Sequence, residues 1–139
     1  MGRSQSLRTA LRIDMATIAV IEDNENSRRL LFDILEFYGY DVVGYERAED
    51  MLSTAPWPDV VLMDIRLPGI DGFEALLRIR GRPAGSQVKV IAVTASAMDY
   101  DRKRIREAGF DAYLPKPVNR QELMALIRDL VPEEPIRDG

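Results

Sequence analysis

The sequence of 139 residues contains no cysteine and no histidine. The lack of cysteine excludes disulfide bonds, thiolate metal ligands and a thiol nucleophile. The lack of histidine excludes an imidazole general base and the usual zinc sites. The longest apolar runs span only a handful of residues, whereas about 20 are needed to cross a bilayer, and no signal-peptide pattern opens the chain. What remains is the chemistry of carboxylates, hydroxyls and cationic side chains.

Clustered positive charge is scarce as well. The chain has 19 Lys and Arg against 23 Asp and Glu, a formal net charge of −4, and no basic stripe with interleaved aromatic residues. Binding to a phosphate backbone needs such a cluster. The glycine-rich nucleotide-binding motifs G-x-x-x-x-G-K-[ST] and G-x-G-x-x-G are also missing. We therefore expect a soluble cytoplasmic protein that binds neither nucleic acid nor membrane.

The composition, 46% hydrophobic and 30% charged, is that of a globular protein, and the length suits one domain. We interpret residues 1–15 as an N-terminal extension, residues 16–131 as the domain and residues 132–139 as a C-terminal tail.

Within the domain, apolar strand patterns alternate with helical ones. Strands are predicted over residues 17–21, 41–45, 60–64, 88–93 and 111–114. Helices are predicted from Asn24 or Asn26, as N-cap, to Gly39, and over residues 47–53, 71–80, 100–108 and 120–130. Short loops between such elements imply right-handed crossovers. The pattern predicts an α/β fold of the flavodoxin-like (βα)5 type, a doubly wound five-stranded parallel sheet in the order 2-1-3-4-5.

Helical spacing also predicts which helix faces are buried. In the first helix the apolar stripe comprises Leu30, Leu31, Ile34, Leu35 and Tyr38, and in the 71–80 helix it comprises Phe73, Leu76, Leu77 and Ile79. We expect both stripes to face the core.

Reactive side chains follow the predicted strands at their carboxyl ends. Glu22 and Asp23 follow the first strand, Asp64 ends the third, Thr94 follows the fourth and Lys116 follows the fifth. In this fold those ends meet at the crevice where the strand order reverses. Each residue alone is more often a cap, a turn or a surface group, but their joint placement at one edge is improbable by chance.

The three acids predict a cation site. At roughly 5 Å and an effective dielectric of about 20, each like-charge pair costs about 3 kcal/mol, so the cluster either raises a pKa or holds a cation. Hard oxygen ligands suit Mg²⁺. With the cation of Lys116 and the hydroxyl of Thr94, the crevice has the parts for phosphoryl transfer to a carboxylate.

These residues occur in motifs that are similar to those of a known family. The motifs are Ile21-Glu22-Asp23-Asn24, Leu62-Met63-Asp64-Ile65-Arg66-Leu67-Pro68-Gly69-Ile70-Asp71-Gly72, Val93-Thr94-Ala95 and Ala108-Gly109-Phe110-Asp111-Ala112-Tyr113-Leu114-Pro115-Lys116-Pro117. From Ala16 to about Val131 the chain resembles the receiver domain of two-component response regulators, especially DivK-type single-domain regulators.

The resemblance implies a role for each matching residue. Asp64 would be the phosphoacceptor, and Mg²⁺ would be held by Glu22, Asp23, Asp64 and the backbone carbonyl of Arg66. Thr94 and Lys116 would bind the phosphoryl oxygens. Tyr113 would act with Thr94 as the conformational switch, and the Lys116–Pro117 peptide bond would be cis. The resemblance also places residues that tune dephosphorylation at Arg66 and Ser96.

The same resemblance implies the partners. A histidine kinase or histidine phosphotransfer protein would supply the phosphoryl group, and a downstream protein would bind the surface formed by the fifth strand and its two flanking helices. The protein would be a monomer or weak dimer, would carry no DNA-binding output domain, and would be no enzyme beyond promoting its own phosphorylation and slow dephosphorylation.

Three alternatives remain open from the sequence. The chain could be the receiver of a hybrid histidine kinase, or a scaffold that has kept the fold and lost phosphorylation. A phosphatase of the haloacid dehalogenase type is a poorer match, because such enzymes need a second Asp two residues after the nucleophile, where this chain has Arg66.

Overall fold

A five-stranded parallel sheet forms the centre of the described part of the chain. The computed structural model describes residues 16–95 and 99–131, so the predicted extension (1–15), the predicted tail (132–139) and Ser96 lie outside the described residues. The strands are β1 (Thr17–Ile21), β2 (Asp41–Tyr45), β3 (Val60–Asp64), β4 (Lys89–Thr94) and β5 (Ala112–Pro115). All pair in parallel in the order β2-β1-β3-β4-β5. The predicted fold class and strand order are confirmed.

In the described part of the chain, five helices connect and cover these strands. They are α1 (Glu25–Phe37), α2 (Ala48–Leu52), α3 (Gly72–Arg80), α4 (Asp99–Ala108) and α5 (Arg120–Leu130), and a 3-10 turn, Pro83–Gly85, follows α3. Polar side chains cap three of them. Asn24, Asp71 and Asn119 each accept a hydrogen bond from the backbone N–H three residues later, at 2.9 Å. Such caps satisfy donors that a helix start leaves unpaired. Helices α1 and α5 begin where the sequence predicts, and α3 begins one residue later, after its cap Asp71.

The last two strands lie one residue later than predicted. β4 is Lys89–Thr94 instead of 88–93, and β5 is Ala112–Pro115 instead of 111–114. The ladder therefore extends far enough for Thr94 to pair with Pro115. This brings the ends of both strands to the edge where Asp64 ends β3.

The core has one layer on each face of the sheet. Helices α1 and α5 cover one face through Leu31, Leu35, Leu123 and Ile127. Helices α2, α3 and α4 cover the other through Met51, Leu76, Ile79 and Ile105. β3, at the centre, is buried along its whole length, whereas β2 at the edge is only partly covered. The apolar β3 sequence reflects burial on both faces.

Two predicted core residues are exposed instead. Leu30 on α1 is 56% exposed and Leu77 on α3 is 66% exposed. Each directly precedes or follows a buried leucine, Leu31 or Leu76, and successive residues on a helix are about 100° apart. The face that meets the sheet is therefore narrower than the apolar stripe that the sequence shows.

Among residues 16–95 and 99–131, no helix combines the length and the apolar character needed to cross a membrane.

Candidate functional site

The carboxyl ends of β1 and β3 lie side by side, because Ile21 pairs with Met63 in the sheet. Glu22 follows β1 directly, and its backbone is held on both sides. Its N–H donates to the carbonyl of Tyr45 at 3.0 Å, and its carbonyl accepts from Nη1 of Arg28 at 2.7 Å. The sheet and the first turns of α1 together fix the position of the acid pair.

Glu22, Asp23 and Asp64 form one cluster. One carboxylate oxygen from each lies within 4.8 Å of the others. Glu22 and Asp64 are buried, 2% and 8% exposed, whereas Asp23 is exposed. The cluster thus combines two buried carboxylates with one that solvent reaches, so an ion could enter beside Asp23.

Lys116 joins the two buried acids. Its Nζ lies 2.6 Å from Oε1 of Glu22 and 2.7 Å from Oδ2 of Asp64. Its backbone N–H donates to the carbonyl of Thr94 at 2.7 Å, and the following Lys116–Pro117 peptide bond is cis. The ammonium group is therefore held at the cleft by contacts at both ends of the residue.

Main-chain donors bind the second oxygen of each buried acid. Oδ1 of Asp64 accepts from the N–H of Arg66 at 2.9 Å, and Oε2 of Glu22 accepts from the N–H of Asn24 at 3.1 Å. Each buried carboxylate thus has one oxygen on Lys116 and one on the backbone. These charge-assisted bonds offset part of the desolvation cost.

The compensation is incomplete at Glu22. Burial raises the pKa of its carboxyl above the usual 4.5, and the negative charge of Asp64 adds to the increase; the bonds from Lys116 and Asn24 work in the opposite direction. For Lys116, burial alone would lower the pKa, but the bonds to Asp64 and Glu22 raise it above 10.5. The lysine stays protonated, and its single charge is shared between two acids, so the cluster lacks positive charge.

Thr94 and Tyr113 lie on the same side of the sheet beside this cleft. Thr94 ends β4 and is buried. Tyr113 pairs with Ala92, two residues before Thr94, and side chains two residues apart on a strand point to the same face. The Tyr113 ring is partly buried and lies 5.7 Å from the guanidinium carbon of Arg102 on α4.

The structure thus brings Glu22, Asp23, Asp64 and Lys116 into one cluster, with Thr94 held to Lys116 through the backbone. Arg66 lies two residues past Asp64, in the loop before α3. Sequence reasoning missed Arg28, which holds the Glu22 carbonyl, and Glu49, which contacts the loop after Asp64. Nothing in the sequence marks either residue, because each contact depends on how separate elements pack.

The donor set fits Mg²⁺. All candidate ligands are hard oxygens, three carboxylates converge, and one of them is exposed; Mg²⁺ favours one or two carboxylates together with water and phosphate oxygens. The shortage of positive charge at Glu22 is a second property of the cleft that a cation would correct.

Comparisons with known proteins agree with this geometry. The family model of the response regulator receiver domain matches residues 18–128. The polar-differentiation response regulator DivK of Brucella ovis is 34% identical over 114 residues, which cover 81% of this chain and 93% of that protein.

Two solved structures are similar along most of the chain. A response regulator described as putative, from Chloroflexus aurantiacus, is 28% identical with a TM-score of 0.80, covering 84% of this chain and 98% of that one. The receiver domain of a Pseudomonas aeruginosa sensor histidine kinase, solved with a magnesium ion coordinated in its active-site cleft, is 32% identical with a TM-score of 0.77 and the same two coverages.

Proposed function

Because this chain belongs to the response regulator receiver domain family, we propose that Asp64 accepts a phosphoryl group from the phosphohistidine of a histidine kinase or a histidine phosphotransfer protein. The observation that carries the proposal is the position of Lys116, whose ammonium group bridges Asp64 and Glu22 at 2.7 and 2.6 Å. A phosphoryl group on Asp64 would form within reach of this cation.

The acceptor chemistry is nucleophilic. A carboxylate oxygen of Asp64 attacks phosphorus, the bond from phosphorus to the imidazole nitrogen breaks, and the bonding electron pair leaves with the imidazole. The product is an acyl phosphate on Asp64 and a free histidine on the donor. The backbone N–H of Arg66, 2.9 Å from Oδ1, restrains the orientation of the carboxylate, which supports this role because positioning supplies much of the catalysis in phosphoryl transfer.

The residues that would hold Mg²⁺ are Glu22, Asp23, Asp64 and the backbone carbonyl of Arg66. When bound, the ion supplies positive charge that neutralises the phosphoryl oxygens. The convergence of three carboxylates within 4.8 Å supports this assignment, as does the magnesium ion in the cleft of the similar Pseudomonas receiver.

The other phosphoryl oxygens would be bound by Lys116 and by the hydroxyl of Thr94. For this to occur, Lys116 turns from the carboxylates to the new dianionic group, which carries about −1.5 to −2 charges. The hydrogen bond from the backbone N–H of Lys116 to the carbonyl of Thr94 keeps the two residues that carry the hydroxyl and the ammonium group next to each other.

Signal output would follow from Thr94. As its hydroxyl moves toward the phosphoryl group, the space beside β5 changes and the ring of Tyr113 turns inward, away from Arg102. A two-state element of this kind is biased by the added charge. The surface altered would be α4–β5–α5, which a downstream protein binds; we place the protein in the cytoplasm as a monomer or weak dimer.

Phosphorylation by a small donor tests the acceptor. Incubation with acetyl phosphate and Mg²⁺ should add the mass of one phosphoryl group, measured by intact-protein mass spectrometry, and omission of Mg²⁺ should abolish the gain. Asp64→Asn should gain nothing, because the amide is a poor nucleophile. Asp50→Asn, which changes an exposed acid on α2, should gain the mass as wild type does.

Two results would contradict the proposal. The first is labelling that persists in Asp64→Asn. The second is a wild-type protein that takes no phosphoryl group and shows no change on addition of beryllofluoride with Mg²⁺, which would favour a scaffold without phosphorylation. Repeated turnover of a small phosphomonoester would instead indicate a phosphatase.

A further inference from the structure

A fourth acidic side chain lies behind the loop that follows Asp64. Glu49, on α2, accepts a hydrogen bond at Oε2 from the backbone N–H of Ile70, at 3.3 Å. Its other oxygen, Oε1, is buried and has no hydrogen-bond partner among the residues that the structure describes. A buried acceptor without a partner costs free energy. The hydrogen bonds of Glu49 alone therefore do not explain why its carboxylate lies against the loop.

The loop, residues 65–71, is held at two places. At its base the N–H of Gly72 donates to the carbonyl of Ile65 at 2.8 Å, and a side chain at Gly72 would meet Cα of Ile65 at 2.9 Å. At its tip lies Gly69, with a φ of +75° that favours glycine. The carboxylate of Glu49 lies directly against Gly69 and would collide with a Cβ there.

Arg66 lies between these two places. It is held on one side by its own N–H, which donates to Oδ1 of Asp64. Its carbonyl belongs to the same loop backbone, which Glu49 contacts at Gly69 and Ile70. A change at the tip would therefore be transmitted to the Arg66 carbonyl.

Glu49 is suited to hold the tip as an anion. The pKa of its carboxyl is lowered below 4.5, first by the nearby backbone N–H of Glu49 itself, and further by the N–H of Ile70 and the positive charges of Arg47 and Arg78; burial acts in the opposite direction. The side chain of Glu49 is therefore ionised at neutral pH where it meets the loop at Ile70.

We propose that Glu49 is a positioning residue for the metal site: it fixes the tip of the 65–71 loop and thereby the carbonyl of Arg66 as a ligand for Mg²⁺. The inference rests on the proposed function and adds to it a residue on α2 that contacts neither the ion nor the phosphoryl group. Groups that orient metal ligands from outside the coordination shell change metal affinity when removed.

The test is the Mg²⁺ affinity of the full chain, measured by isothermal titration calorimetry beside the melting temperature. Glu49→Ala should weaken Mg²⁺ binding about three- to tenfold. Glu49→Gln, whose amide oxygen can still accept from Ile70, should stay within about twofold of wild type. Asp50→Ala, the exposed neighbour on the same helix, should bind as wild type does.

A change from the loop side provides a second test. Gly69→Ala would push against the Glu49 carboxylate and should weaken Mg²⁺ binding by a similar factor. If Glu49→Ala does not fold, the Mg²⁺ affinity of Gly69→Ala is the test of the inference.

Three outcomes would overturn the inference while leaving the proposed function intact. They are a Glu49→Ala protein with a lower melting temperature and wild-type Mg²⁺ affinity, a Gly69→Ala protein with wild-type affinity, and a Glu49→Gln protein as weak as Glu49→Ala. A wild-type protein that binds no Mg²⁺ would overturn the proposed function and the inference together.

Discussion

At the scale of single residues, the ammonium group of Lys116 has two sets of partners that it cannot fully bind at the same time. Its ammonium group neutralises Asp64 and Glu22, and the proposed reaction needs the same group for a phosphoryl oxygen. Its side chain is 27% exposed, so water can take part when it moves from one partner to the other. The acids that it leaves must then find another cation, which is the place that we propose for Mg²⁺.

Replacement of Lys116 tests how far the two buried acids depend on it. Lys116→Met leaves two carboxylates facing each other, and the free energy of unfolding without Mg²⁺ should fall by about 1–3 kcal/mol. Added Mg²⁺ should raise the melting temperature of the variant more than that of wild type, because the ion no longer competes with the ammonium group. Lys103→Met, at an exposed position on α4, is the control and should behave as wild type does. If Mg²⁺ raises the melting temperatures of wild type and Lys116→Met by the same amount, this account is wrong.

Glu22 predicts a pH dependence of stability in the metal-free protein. Because its pKa is raised above 4.5 on folding, the folded state favours the protonated carboxyl, and the stability that this provides at low pH is lost as the pH rises through the raised pKa. Glu22→Gln cannot lose a proton. We therefore expect that, as the pH rises from 4 to 7, the free energy of unfolding of Glu22→Gln increases relative to that of wild type. Denaturant unfolding of both proteins measures this difference.

The matched control is Glu107→Gln, which changes an exposed carboxylate on α4. Its difference from wild type should stay nearly constant over the same pH range. If Glu22→Gln also gives a constant difference, burial does not control this carboxyl.

At the scale of elements, Arg80 at the end of α3 connects several segments near the amino ends of the strands, on the side of the sheet opposite the cleft. Nη1 donates to the carbonyls of Gly85 and Val88 at 2.9 and 2.6 Å. Nη2 lies 2.8 Å from Oδ2 of Asp111, and that oxygen also accepts from the N–H of Val90. One guanidinium group thus links α3, the 3-10 turn and the starts of β4 and β5.

We expect Arg80→Ala to lower the free energy of unfolding by about 2 kcal/mol, measured by denaturant titration, because it removes three hydrogen bonds from a charged donor that link separate elements. The matched control is Arg78→Ala on the same helix, which removes an exposed pair with Glu74 and should cost less than about 0.5 kcal/mol. Equal losses would show that the linkage adds no stability. Mg²⁺ affinity should be unaffected in both.

Short-range sequence patterns predicted the limits of these elements well, but they did not predict which apolar residues of the helices are exposed. The caps and strand runs depend on neighbouring residues, which is why α5 and β1 to β3 have their predicted limits. Burial depends on where another element lies. The same stripe of leucines on α1 or α3 is compatible with several orientations, and only packing decides that Leu31 and Leu76 are buried while Leu30 and Leu77 are exposed.

At the scale of the whole molecule, the sequence was sufficient to predict the fold and the grouping of the acids. A parallel sheet places every strand's carboxyl end at one edge, so Glu22, Asp23 and Asp64 had to come together once the strands were identified. The bridging geometry of Lys116 and the contact between Glu49 and the loop could not be predicted, because both depend on how side chains from segments distant in the sequence pack together.

The division between the two edges has a consequence for adaptation. Acids with incomplete compensation lie at one end of the strands, and the Arg80 linkage lies at the other. Under the proposed function, changes in the residues around the cleft would alter how long a phosphoryl group persists, while changes around Arg80 would alter the stability of the folded chain. If the proposal holds, the lifetime of the phosphorylated state and the stability of the fold can change in evolution by separate substitutions.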